Sequence, residues 1–189
     1  MSKDLDLLPD PNEVATLVEG LVGSEWPTSE AQRLSWFRQH GLDVRESHRG
    51  WGENGSDSFV GRGPERWGSP RFGWHTFEGD FVGVSWFLWH GAPPEAVRAA
   101  SRQLRDRFCG FAGAPIEEIT AVNDTDKFTA FWEVQGRTID MYLHGGRLLD
   151  GSFLPDSVVQ LHVDHTARSQ RADEAADRDQ EHPPFQGNA

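Results

Sequence analysis

Cysteine, lysine, methionine and tyrosine are scarce in this chain of 189 residues. Cys109 is the only cysteine, so no disulfide can close within it. Lys3 and Lys127 are the only lysines among eighteen basic residues, against thirty Asp and Glu, and the formal net charge is −12. Phosphate backbones are bound by clustered Lys and Arg, so this balance speaks against nucleic acid as a partner. It favours solubility, or a basic protein partner drawn in by electrostatic steering. No apolar run approaches the ~20 residues that cross a bilayer. The opening MSKDLDLLPDP has none of the apolar core of a secretory signal. The expectation is therefore a cytoplasmic protein with no membrane partner.

Recognisable catalytic and cofactor motifs are also missing. Gly61-Arg62-Gly63 is followed by no Lys-Ser/Thr and by no helix start, so it does not cradle phosphate. Asp124 and Asp126 begin like a calcium loop but lack the glycine and closing glutamate at the required offsets. Cys109 falls in a helical apolar pattern and reads as a buried, inert thiol. No Ser or Cys nucleophile stands in a recognisable setting. No cofactor is expected, and the chain reads as a protein without catalysis of its own.

Aromatic residues are what the chain has in quantity. Arg71–His90 holds three of the eight tryptophans and four of the twelve phenylalanines. Such residues suit a pleated, half-buried surface, and Glu78-Gly79-Asp80 interrupts them where a hairpin turn fits. A three-residue loop pairs Phe77 with Phe81 and gathers Phe72, Trp74, Thr76, Val82, Val84, Trp86 and Leu88 on one face. His75, Phe81, Phe87 and Trp89 then lie on the other. A two-residue loop slips the pairing by one and exchanges the faces.

Elsewhere, Asp10-Pro11-Asn12-Glu13 reads as a helix start, with Val14, Leu17, Val18 and Leu21 at helical spacing. Ser29-Glu30-Ala31-Gln32 begins a second helix, with Ala31, Leu34 and Phe37 inward. Pro93-Pro94-Glu95 starts the main helix, striped by Val97, Ala100, Leu104, Phe108 and Phe111 and ended by Gly110. Strands are expected at Asp43–Arg49, Ser56–Arg62, Ile116–Val122, Lys127–Val134, Arg137–His144 and Val158–His165. A two-residue turn at Gln135-Gly136 pairs Trp132 with Ile139, Ala130 with Met141 and Phe128 with Leu143, all apolar. The fold class predicted is α+β: an antiparallel sheet of about six to eight strands with helices packed on one face. Residues 1–24 read as a helical extension, 25–166 as a single domain, and 167–189 as a polar tail too poor in apolar residues to order, with at most a frayed helix around Arg168–Arg178.

Two groups of residues are candidates for function. Trp51, Glu53, Asp57, Glu65 and Trp67 form a Trp-plus-acid loop of the kind that anchors protein interfaces, although tryptophans in such loops also serve ordinary packing. Asp140, His144, His162 and Asp164 fall on the outward face of neighbouring strands and are the candidates for metal binding or acid–base chemistry. The same residues equally suit the solvent side of an antiparallel sheet.

The helix SEAQRLSWFRQHGL, the aromatic hairpin, the helix PPEAVRAASRQLRDRFCG and the late strand pair FWEVQGRTIDMYLH resemble, in layout and texture, small uncharacterised actinobacterial proteins. Many of these accompany polymorphic or type VII-secreted toxins as immunity proteins. The likeness spans roughly residues 25–166 and implies a non-catalytic inhibitor that binds a cognate, basic toxin domain, as a monomer or weak dimer. It assigns no contact residues. The alternatives are a secretion chaperone for an exported substrate, which predicts homodimers, or a hydrolase or metal-dependent enzyme built on the Asp140, His144, His162 and Asp164 face.

Overall fold

The computed structural model describes residues 7–44, 55–68, 70–120, 127–145, 147–149, 152–154 and 157–181. Its helices are α1 (Pro11–Gly23), α2 (Glu30–Gln39), α3 (Pro94–Ala112) and α4 (Thr166–Glu181). The strands are β1 (Ser56–Arg62), β2 (Arg71–Phe77), β3 (Asp80–Leu88), β4 (Glu117–Thr120), β5 (Phe128–Val134), β6 (Arg137–His144), β7 (Arg147–Leu149), β8 (Ser152–Leu154) and β9 (Val158–His165). Seven of them form one antiparallel sheet in the order β1-β2-β3-β9-β6-β5-β4, while β7 and β8 pair as a separate hairpin. This is the expected α+β class. The strand expected at Asp43–Arg49 lies mostly outside the described residues; Asp43 bridges to Arg62 at the edge of β1.

The turn at Gln135-Gly136 has both residues at positive φ, 52° and 71°, and sets the expected register of Trp132 with Ile139, Ala130 with Met141 and Phe128 with Leu143. That backbone suits a two-residue hairpin because its twist matches the strands. The first hairpin uses the same turn, at Glu78 (φ 51°) and Gly79 (φ 84°), so Phe77 pairs with Asp80 rather than with Phe81. A bulge between His75 and Thr76 then absorbs the one-residue slip. Beyond it, Trp74 meets Val84 and Phe72 meets Trp86, as the three-residue loop had also required.

The consequence falls on Phe81, which moves to the helix-covered face. There it stacks on Trp26 at 5.1 Å and meets Trp36 and Phe37 edge-on at 5.3 and 5.4 Å. Trp89 also leaves the back of the sheet. Its φ of 60° breaks the strand alternation, and its buried ring donates from Nε1 to Pro9 O at 2.7 Å.

α1 presents Val14, Val18 and Leu21 to the core and packs along α3, so it is part of the body rather than an extension. α3 buries Val97, Ala100, Leu104 and Phe108 as its stripe requires, but it runs past Gly110 to Ala112, and Cys109 is only half-buried. In α2 the inward pair is Trp36 and Phe37, while Ala31 and Leu34 are exposed. The helix is short, and it is fixed by the aromatic cluster around Phe81 rather than by a periodic stripe.

The segment read as a solvated tail forms α4. Alanines favour the helix, and Glu174 stands four residues before Arg178, the favourable order for an ion pair. Its hold on the body is polar. Arg168 Nη1 donates to Pro27 O and Phe81 O at 2.9 and 2.8 Å, Arg171 pairs with Asp80 at 2.8 Å, and Thr166 Oγ1 lies 3.1 Å from Thr138 Oγ1. Thr138 belongs to the polar face of the sheet, so α4 lies on the side opposite α1 and α3.

Phe81→Ala removes the ring shared by this cluster and is expected to cost about 3–5 kcal/mol in urea unfolding. Phe87→Ala, at an exposed position, is expected to stay within about 0.5 kcal/mol. A small loss at Phe81 would instead indicate the three-residue loop.

Candidate functional site

Paired residues on neighbouring strands point to the same side, so the registers read directly as rows across the polar face. One row runs His75, Gly83, Asp164, Thr138 across β2, β3, β9 and β6. The next runs Gly73, Ser85, His162, Asp140, and the third contains Phe87, Gln160, Tyr142, Thr129 and Ile119. Asp140 thus stands opposite His162, while Asp164 reaches across β3 toward His75, its Oδ1 lying 4.0 Å from His75 Nε2. Gly83 makes that reach possible, since a Cβ there would collide with the Asp164 carboxylate.

Of the four outward residues singled out in the sequence, Asp140, His162 and Asp164 are brought together. His144 stands apart: its Nε2 is 2.9 Å from Gln160 Oε1, and Gln160 Nε2 is 2.7 Å from His162 Nε2. The residue that joins the cluster in its place is His75, from the first hairpin. Its outward position on β2 was legible, but nothing in the sequence showed that β9 would insert beside β3. Among the described residues, no three of His, Cys, Asp and Glu converge as a metal ion requires.

Burial governs the charges here. Asp164 is 7% exposed. Its carboxyl is held well above the usual range by burial first, and then by the negative charges of Asp140 and Asp173. Burial, with Asp173 second, pushes Asp140 up to about 6. Asp173 reaches both groups from α4 and is itself raised by burial and by Asp177. His75 is lowered to about 4 by burial and by the neighbouring His162, which burial lowers as well. Tyr142 is raised by burial and then by Asp140 and Asp164, which places its hydroxyl within their field. Asp140 Oδ1 and Asp164 Oδ1 are buried with no hydrogen-bond partner.

α4 covers the Asp80, Asp164 and Thr138 end of this face and leaves the other end open. Phe87 is 59% exposed and Ile119 53%. Between them Tyr142 meets Phe131 edge-on at 5.7 Å and His162 at 6.0 Å.

Of the Trp-plus-acid set, only Asp57, Glu65 and Trp67 are described, and Asp57 stands apart from the other two. Trp51 and Glu53 lie outside the described residues. Asp57 pairs with Thr76 near the start of β1, whereas Glu65 is exposed on a 3-10 turn beyond its far end. Trp67 is 3% exposed and packs in the core, so it offers no surface anchor. The turn is tied down beside it by Arg66, 3.2 Å from Glu13 of α1.

The fold and site therefore define a Trp-rich α+β protein with a half-covered polar sheet face. No helix among the described residues is long and apolar enough to cross a membrane. Compared with family models, curated proteins and solved structures, the chain matches none of them.

The buried carboxyl makes stability depend on pH. A carboxyl raised by folding stabilises the native state at acid pH, and that contribution is lost as pH rises through the raised value. Asp164→Asn is therefore expected to raise the melting temperature at pH 8, with the gain shrinking toward pH 4. His75 acts with the opposite sign: a lowered imidazole contributes stability above its ordinary value, lost as pH falls toward about 4. His75→Gln is expected to remove that acid-side loss. Thermal unfolding across pH measures both, and an Asp164→Asn protein less stable at pH 8 would mean an ionised, paired carboxylate.

Proposed function

We propose that this chain is a non-catalytic cytoplasmic binding protein of the immunity type, which neutralises a cognate toxin domain by occluding it. The observation that carries this reading is the open half of the polar sheet face. Exposed Phe87 and Ile119 flank half-buried Tyr142 there, and Glu117 and Asp140 lie in the adjacent row. Aromatic side chains serve as interface anchors, and acids beside them complement a basic partner. The net charge of −12 supports the same reading, because it speeds capture of a basic domain. The resemblance in layout to immunity proteins supports it further.

Co-expression with the product of the neighbouring gene is expected to give a stable complex and to protect the cell from that product. Phe87→Ala and Tyr142→Ala are each expected to weaken the complex by about 2 kcal/mol, near thirtyfold in Kd, with the fold intact by circular dichroism. Absence of both complex and protection would overturn the proposal. Binding of an unfolded export segment by a homodimer, with the folded domain ignored, would put a secretion chaperone in its place.

A further inference from the structure

We infer that the outer edge of β4 takes an extended, basic segment of the partner as an added strand of the sheet. This rests on the binding role proposed above and names the mode of contact and the chemistry of the segment.

The first observation is an open edge. The seven-stranded sheet ends at β1 on one side and at β4 on the other. β1 is closed at one end by Asp43, which exchanges backbone hydrogen bonds of 2.8 and 2.7 Å with Arg62. β4 has no such neighbour among the described residues. Phe131 O accepts from Ile116 N at 2.8 Å, so Phe131 turns its backbone groups toward β4. Backbone direction alternates along an antiparallel ladder, so Glu117 and Ile119, opposite Phe131 and Thr129, bond to β5. Glu118 and Thr120 then turn their N–H and C=O groups outward, and such a row is a template for another strand. The edge carries neither lysine nor proline to blunt it, and Ile119 is 53% exposed, with Ile116 just before the strand at 69%.

The second observation is the chemistry of that edge. On the outer face, the row through Phe87, Gln160, Tyr142 and Thr129 ends at Ile119, and the row through His162, Asp140 and Phe131 ends at Glu117. An added strand continues both rows, and directly opposed side chains interact. An apolar residue opposite Ile119 extends the strip that begins at Phe87. A cation opposite Glu117 meets an exposed carboxylate with no basic partner among the described residues, and exposed Glu133 on β5 adds to the same charge. On the inner face the Glu118 carboxylate is already held by Arg105 at 2.6 Å, so a neutral polar residue suits the place opposite it. The segment therefore has a basic and an apolar residue two positions apart, with polar residues between. The competing occupant, a second copy of this chain, brings a further net charge of −12, and that repulsion opposes it.

The test uses the full chain and a capped heptapeptide, Thr-Lys-Thr-Val-Thr-Lys-Thr. Residues that pair with Glu118 share its face, so the threonine amides of the peptide point at β4 and those of lysine and valine point away. In an NMR titration the peptide is expected to slow hydrogen exchange of the Glu118 and Thr120 amides and to shift the Ile119 methyl signals. N-methylation of the threonines is expected to abolish this, whereas N-methylation of the valine leaves it unchanged. Glutamate in place of both lysines should weaken binding at least about tenfold, as should Glu118→Pro, which removes an outward N–H and spares the bonds to β5. Glu118→Ala loses the Arg105 pair but keeps that N–H, and is expected to bind within about threefold of the parent. Melting temperatures check that both variants fold, and the N-methylated peptides need no variant at all. Binding indifferent to threonine N-methylation, no protection of Glu118 and Thr120, or a dimer in sedimentation that Glu118→Pro dissolves would overturn the inference. If Glu118→Pro captures the product of the neighbouring gene as tightly as the parent does, strand addition falls and the binding role stands. If the parent chain captures no such product while the peptide still protects β4, the binding role falls instead.

Discussion

Val158–His165 hydrogen-bonds to β3 along one edge and to β6 along the other, and so joins two antiparallel meanders that are distant in sequence. Its inward residues Val159, Leu161 and Val163 complete the apolar face under α1 and α3. Its outward residues Gln160, His162 and Asp164 form the middle of the polar face. Both faces depend on this one strand. Because β9 is central, its outward groups lie beside β2 and β3 as well as beside β6, and the side chain of Asp164 extends over the backbone of Gly83. A carboxylate on an edge strand would have stayed in water; here the fold buries it.

The other constraint is the tight turn at Glu78-Gly79. A two-residue hairpin alone would have turned every side chain of one strand to the wrong face, since strands alternate with period two. One bulge corrects this while leaving Phe81 inside, where it ties together Trp26, Trp36 and Phe37 from the segment before the sheet. Six aromatic rings, Trp26, Trp36, Phe37, Phe72, Trp74 and Phe81, thus join α2 and the Trp26 segment to the hairpin. Among the described aromatic residues Phe87 is the exposed one, and it lies with half-buried Tyr142 and exposed Ile119 on the half of the back face that α4 leaves open.

α4 shows how a helix can dock with little apolar burial. Ala172, Ala175 and Ala176 sit half-buried, and three side chains, Thr166, Arg168 and Arg171, fix it to Thr138, to the carbonyls of Pro27 and Phe81, and to Asp80. It also carries Asp173 toward Asp140 and Asp164, so the arrangement adds negative charge where charge is already poorly solvated. That unbalanced region meets the exposed aromatic strip at Tyr142.

Much of the fold was legible from local pattern. Strand alternation identified β6 and β9 to the residue, the Gln135-Gly136 turn fixed one hairpin register, and α1 and α3 followed from caps and stripes. In these elements, turn chemistry and apolar periodicity agree. The sequence by itself also determined the charge balance and the outward placement of Asp140, His162 and Asp164. Only the tertiary structure decided that His75 rather than His144 joins them, because strand order across a sheet is set by long-range pairing that leaves no local trace. It likewise decided the bulge that turns Phe81 inward, the burial of Trp67, and the ordering of α4, whose anchors are backbone carbonyls and side chains many residues away. A polar helix stays in place only where the folded body supplies those acceptors.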